Sequence, residues 1–273
     1  MDKSIGAAEE KSLQIENQSI RINVSNDYYG VDFWKSVEAS KYEPDTLDFI
    51  RRRTDKESDF MDIGAANGAM TLIAAIQGAR VIAYEPDPQI RKVLQRNVEL
   101  NDQNWNISIS GAAISNFNGE VLFDKGANTQ VLSDIMFAGE KEKGATILVA
   151  DLSRELDKFH VDSNRKLVIK MDIEGAEWKT LNDLQVLTCL RKHNATLLLA
   201  VHPGFTHPVP KFAAFSLLFR APWLIRQILE SINLFNKLSM RATIQRTNLN
   251  FITSKFKFAT LIISGYHEFI IEF

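Results

Sequence analysis

The sequence predicts a doubly wound, mostly parallel seven-stranded sheet with a helical insertion after the fifth core strand, and three observations point there. From residue 59 onward, short apolar runs alternate with amphipathic stretches, the β-α rhythm of a parallel sheet. A glycine turn, Asp62-Ile-Gly64-Ala-Ala-Asn-Gly68, joins the first of those runs to the first amphipathic stretch. Ala195-Thr-Leu-Leu-Leu-Ala-Val201 is nearly all apolar, as a strand covered on both faces must be.

In chain order, residues 1–58 read as an extension and 59–273 as the domain proper. Residues 1–18 are polar and are expected to be mobile, and Ile20-Arg-Ile-Asn-Val24 alternates as a short strand. Tyr42 to Arg53 reads as a helix: Pro44 suits its first turn, Asp45 and Asp48 lie early, and Arg51 to Arg53 lie late, matching the helix dipole. Within the domain, strands are expected at Phe60–Ile63, Arg80–Tyr84 and Ile107–Ser110. Helices are expected at Met70–Gln77, ended by Gly78, and at Pro88–Asn101, with Ile90, Val93, Leu94 and Val98 along one face. Residues 117–150 read as a β-rich excursion with strands at Val121–Phe123 and Thr146–Val149. Lys166–Met171 is the fourth core strand, a helix follows over Ala176–Leu190, and Phe258–Ile263 and Glu268–Glu272 close the sheet.

Residues 205–249 break this rhythm. They carry six basic residues (Lys211, Arg220, Arg226, Lys237, Arg241 and Arg246) against Glu230 alone, a net of +5, with Phe205, Phe212, Phe215, Phe219, Trp223 and Phe235 among them. Apolar residues at helical spacing predict an amphipathic lid, an element resting on an anionic membrane surface, or an oligomer contact.

Composition narrows the partners. A net charge of -2 gives no bulk attraction to nucleic acid, so none is expected. The single cysteine, Cys189, excludes a disulfide framework and a cysteine-based zinc site, and no metal constellation is expected. The opening MDKSIGAAEEKS has no apolar run, and no stretch reaches the roughly 18 apolar residues of a spanning helix. A cytoplasmic protein is expected, peripheral to a membrane at most.

The chemistry starts at the turn. Gly64 permits a tight bend, and Gly68 permits close approach of a ligand or strand to the following helix. Ala66 stands where a dinucleotide fingerprint has its second glycine, which counts against NAD. Asp62 would repel a phosphate and favour a cationic ligand, while Glu85, just past the second strand, is placed to accept both hydroxyls of a ribose. A ribose, a cationic amino group and no phosphate describe S-adenosylmethionine, with S-adenosylhomocysteine as its product. Asp172, at the end of the fourth core strand, and His202, after the fifth, are the candidate bases. Glu174 and Glu177 open the next helix and are candidate substrate-binding residues, and Lys170 is expected to pair with an acid of this group. His193 and His207 show no pattern and read as surface residues.

Five motifs carry a resemblance: Asp62–Gly68, Tyr84-Glu-Pro-Asp-Pro88, Asn97-Val-Glu-Leu-Asn101, Ala112-Ala-Ile-Ser115 and Ile169-Lys-Met-Asp-Ile-Glu-Gly-Ala-Glu177. Over residues 40–202 the sequence resembles the FkbM family of SAM-dependent methyltransferases. The resemblance implies a class I, Rossmann-like methyltransferase fold and methylation of a hydroxyl on a sugar or a secondary metabolite, and a sugar, glycan or glycolipid-like acceptor is expected. It extends the cofactor set to Asp62, Gly64, Ala65, Asn67, Gly68, Glu85, Pro86, Ala112 and Asp172. Val201-His202-Pro203 departs from the family, where an acid often precedes the histidine. Methylation of an amine on a small metabolite, and a catalytically inactive SAM-binding module, are the alternatives.

Overall fold

The computed structural model describes residues 10–24, 29–101, 104–124, 144–173, 176–201, 232–238, 243–246 and 267–273. They divide into two compact units, one running to Gly111 and taking in Asn164–Val168, the other drawn from Ala112–Ser163 and Ile169–Phe273.

The first unit opens with an antiparallel hairpin of β1 (Glu10–Ile15) and β2 (Gln18–Asn23). Glu16 and Asn17 between them both have positive φ, 50° and 64°, the two-residue turn whose twist suits a hairpin. Residues 10–15, expected in a mobile tail, are therefore a strand. Leu13 and Ile15 are too short a pattern alone, but Leu13 lies opposite Ile20, and all of Leu13, Ile15, Ile20 and Ile22 are buried. Helix α1 (Val31–Glu38), which the sequence reading did not anticipate, buries Trp34 and Val37. Helix α2 (Pro44–Arg53) has the expected proline start and basic end. The predicted alternation then follows as β3 (Ser58–Ile63), α3 (Ala69–Ile76), β4 (Arg80–Tyr84), α4 (Pro88–Glu99) and β5 (Ile107–Ser110). Strands β3, β4 and β5 run parallel. Asp59 in β3 is fully buried and is matched by two guanidiniums, Arg80 at 2.6 Å and Arg165 at 2.5 Å.

In the second unit, β6 (Ala113–Ser115), β7 (Gly119–Asp124) and β8 (Gly144–Asp151) form a separate sheet in the order β6-β8-β7, the β-rich excursion. Helix α5 (Leu152–Phe159) follows, then β9 (Lys166–Met171), whose first residues belong to the first unit. The helix expected over 176–190 is two helices, α6 (Glu177–Leu181) and α7 (Leu184–Lys192). Asp183 makes the break: its side chain accepts the Gln185 N–H at 2.7 Å and so caps a new helix. After β10 (Thr196–Val201) come α8 (residues 232–238), β11 (Thr243–Arg246) and β12 (His267–Glu272).

Among the described residues, seven strands bond in the order β11-β12-β10-β9-β3-β4-β5, a mostly parallel sheet with flanking helices in which β12 runs antiparallel to β10 and β11. The expected insertion therefore ends before 249, because residues 243–246 are a sheet strand. Most of 205–249, and the strand expected at 258–263, lie outside the described residues. Within α8, Leu234, Phe235 and Leu238 are buried and Lys237 donates to the Asn182 carbonyl at 2.7 Å, so this piece of the insertion packs into its own unit. No helix of the described residues is long and apolar enough to cross a membrane.

Candidate functional site

The turn after β3 is built from three residues in the left-handed region: Gly64 (φ 81°), Ala66 (φ 50°) and Gly68 (φ 88°). The N–H groups of Gly64 and Ala65 both donate to the Tyr84 carbonyl at 3.0 Å, that of Ala66 to Glu85 Oε2 at 2.9 Å, and that of Gly68 to the Ala65 carbonyl at 2.8 Å. Four N–H groups that could have cradled a phosphate are thus committed to protein acceptors. What the turn presents instead is a carboxylate. Glu85, 6 % exposed at the end of β4, is held by the Ala66 N–H on one oxygen and by the Asp87 N–H (2.8 Å) on the other. Asp87 also caps α4 through the Gln89 N–H, with Pro88 at the first helical position, so Glu85-Pro-Asp-Pro88 orients an acid and starts a helix in four residues.

Asp62 is fully buried and accepts the Thr71 hydroxyl at 2.6 Å, which fastens α3 to β3 beneath the turn. Gly68 is glycine for packing as well as for φ, because a Cβ there would lie 2.4 Å from Leu94 Cδ1. That crowding comes from α4. Ala65 is core, packed with Ala83 and Leu94. Pro86 is buried, and its carbonyl accepts from Arg91 at 3.0 Å. Asn67 is 2 % exposed, and its Nδ2 meets no partner among the described residues. A buried donor left so costs about 1–3 kcal/mol, which a polar ligand atom would recover.

Two residues quoted in a motif, but given no role from sequence, turn out to hold this turn. Asn97 of α4, fully buried, donates to the Asn67 carbonyl at 2.8 Å and accepts the Asn23 N–H at 2.7 Å. One helical turn on, Asn101 accepts the Arg21 N–H at 2.9 Å and donates to the Arg21 carbonyl at 2.7 Å. The pair clamps β2 to α4 and steadies the glycine turn. A signal existed: asparagine is a poor helix former, so two of them four residues apart in a helix call for partners.

In the second unit, Asp172 follows the last residue of β9, and its Oδ2 lies 3.6 Å from Lys170 Nζ, the pairing expected of Lys170. Glu177 is buried and accepts the Ile173 N–H at 3.1 Å, closing the bend that carries Asp172. Ala112 precedes β6 and is partly exposed. Glu174, His202 and His207 lie outside the described residues. His193 is not the surface residue expected: its side chain is 11 % exposed and its Nε2 is 2.6 Å from Asp157 Oδ1. Bonds from Lys192 and then His193 pull the Asp157 carboxyl down to about 2. The Cys189 thiol beside it is pushed up to about 11, by burial first and by Asp157 second, so it is no nucleophile at neutral pH.

A family model described as Vibrio cholerae RfbT protein matches residues 35–203, more than half of the 273. The chain belongs to the RfbT family. The matched stretch runs from α1 through β10 and holds the turn, Glu85, Asn97, Asn101 and Asp172. The family thus shown is RfbT, and the FkbM resemblance stays with the five motifs that carry it. No curated protein matches the sequence. Among solved structures, the chain is similar to a putative rRNA-methylase from Clostridium thermocellum, at 10 % identity over 84 % of this chain and 93 % of that one, with a TM-score of 0.41. It is similar to a TehB-like SAM-dependent methyltransferase from Corynebacterium glutamicum, at 10 % identity over 88 % and 94 %, with a TM-score of 0.41.

Proposed function

We propose that the chain is an S-adenosylmethionine-dependent methyltransferase that methylates a hydroxyl on a sugar, glycan or glycolipid-like acceptor. The cofactor reading is carried by one observation: the turn's N–H groups are committed internally while Glu85 is held, oriented and buried, at the strand end. Such a site disfavours a pyrophosphate and suits the hydroxyls of a ribose. The unpartnered Asn67 Nδ2 beside it supports a ligand with a polar atom at that point. The acceptor class rests on the resemblance of the 169–177 block to the FkbM family.

S-adenosylmethionine supplies a methyl group activated by its positive sulfur. Glu85 binds and orients, and Asp62 fixes the turn on which Glu85 rests. Transfer would exchange the methyl C–S bond of the bound cofactor for a C–O bond, and the acceptor's hydroxyl proton would have to leave as it does. Asp172 takes that proton: it stands at the carboxyl end of its strand, and Lys170 at 3.6 Å keeps its charge in balance. Glu177 holds the bend rather than the substrate.

Calorimetry tests the cofactor. S-adenosylhomocysteine is expected to bind with micromolar affinity and NAD not at all; NAD binding in its place would overturn the reading. The base is tested by Asp172→Asn, assayed as transfer of labelled methyl to a panel of hexoses, glycans and glycolipids. Turnover is expected to fall about 10²–10⁴-fold with S-adenosylhomocysteine affinity unchanged. Lost cofactor affinity without a separate chemical defect would move Asp172 into the binding set.

A further inference from the structure

We propose that Asp157, Cys189 and His193 form a binding site for a zinc-class divalent metal ion. The three donor atoms, one carboxylate oxygen, one sulfur and one imidazole nitrogen, lie within 4.8 Å of one another. Cys189 sits in the last two turns of α7 and His193 just past its end, a spacing of four that puts both on one face. Asp157 comes from α5, which packs against α7. Asp157 Oδ1 is 2.6 Å from His193 Nε2 and 3.6 Å from Cys189 Sγ. Around a tetrahedral zinc ion, bonded at about 2.0–2.3 Å, donors stand about 3.4 Å apart, so small side-chain shifts suffice. His160, buried, packs its ring edge-on against His193 at 5.3 Å and fixes the imidazole. The S, N and O donors are the set this ion prefers.

A cation already occupies the place electrostatically: Lys192 Nζ lies 2.8 Å from the same Asp157 oxygen. Its side chain is 63 % exposed, so it can return to water, and Asp157 at 53 % gives the ion an entry path and a water for the fourth position. Binding forms bonds to sulfur, nitrogen and oxygen, and the thiol proton leaves to solvent. The expectation that one cysteine excludes zinc holds for sites needing several sulfurs, not for a mixed set whose donors come from two helices. The site is independent of the methyl-transfer reading.

The full-length protein, stripped with a chelator, is titrated with Zn²⁺ against a chromophoric indicator and separately with Co²⁺. One equivalent is expected to bind, with a thiolate-to-cobalt charge-transfer band that Cys189→Ser abolishes. Asp157→Asn, a half-exposed position that should not disturb folding, and His193→Ala should each weaken Zn²⁺ binding by about tenfold or more. Lys192→Ala should tighten it by removing the competing charge. No charge-transfer band in the unmodified protein, or equal Zn²⁺ affinity in Asp157→Asn, would overturn the site.

Discussion

Glu85→Ala is expected to weaken S-adenosylhomocysteine binding about a hundredfold. The carboxylate would accept both ribose hydroxyls, and a hydrogen bond to a charged acceptor is worth about 1.5–3 kcal/mol. It also holds the N–H groups of Ala66 and Asp87, at 2.9 and 2.8 Å, so its loss loosens the turn that frames the ligand. Glu85→Gln separates these roles, because it keeps one acceptor oxygen and loses the charge, and should fall between alanine and wild type. Calorimetry on both variants, with thermal melting to confirm folding, makes the measurement. Unchanged affinity in Glu85→Ala would remove the residue from the cofactor site and leave the methyltransferase reading without its main support.

The largest effect on stability is expected at Gly68→Ala, about 2–5 kcal/mol of destabilisation by denaturant unfolding. Two costs combine. At φ 88° an L-residue carries about 1–2 kcal/mol of strain, and the new Cβ would sit 2.4 Å from Leu94 Cδ1. Leu94 is buried with Ala65 and Ala83, so displacing it disturbs a packed cluster at about 1–3 kcal/mol. A Gly68→Ala/Leu94→Ala double variant tests the second cost, since alanine at 94 removes the clash and the two changes should be less than additive. Strict additivity would mean that φ alone explains the glycine.

The sequence by itself determined the elements whose signals are local. The β3-turn-α3 unit is legible because two glycines, the short strand at Phe60–Ile63 and an apolar helix adjoin one another within residues 60–76. Glu85 was legible for the same reason: its position one residue past a strand is a property of a short window, as is the Pro88 start of α4. Tertiary structure decided what depends on partners distant in sequence. Leu13 and Ile15 become a strand only because β2 pairs with them, Leu13 opposite Ile20 and Ile15 opposite Gln18, and residues 243–246 because β12, beyond residue 266, offers an edge. Asn97, a poor helix former, called for partners, but only the fold brought the Asn23 N–H and the Asn67 carbonyl to its side chain. Cys189 and Asp157, 32 residues apart, share no pattern a period could reveal, and only the packing of α5 on α7 places sulfur beside carboxylate. Period, turn chemistry and capping are set by neighbours along the chain, whereas a side chain's partner is set by which faces bury apolar area together, and that choice belongs to the whole fold.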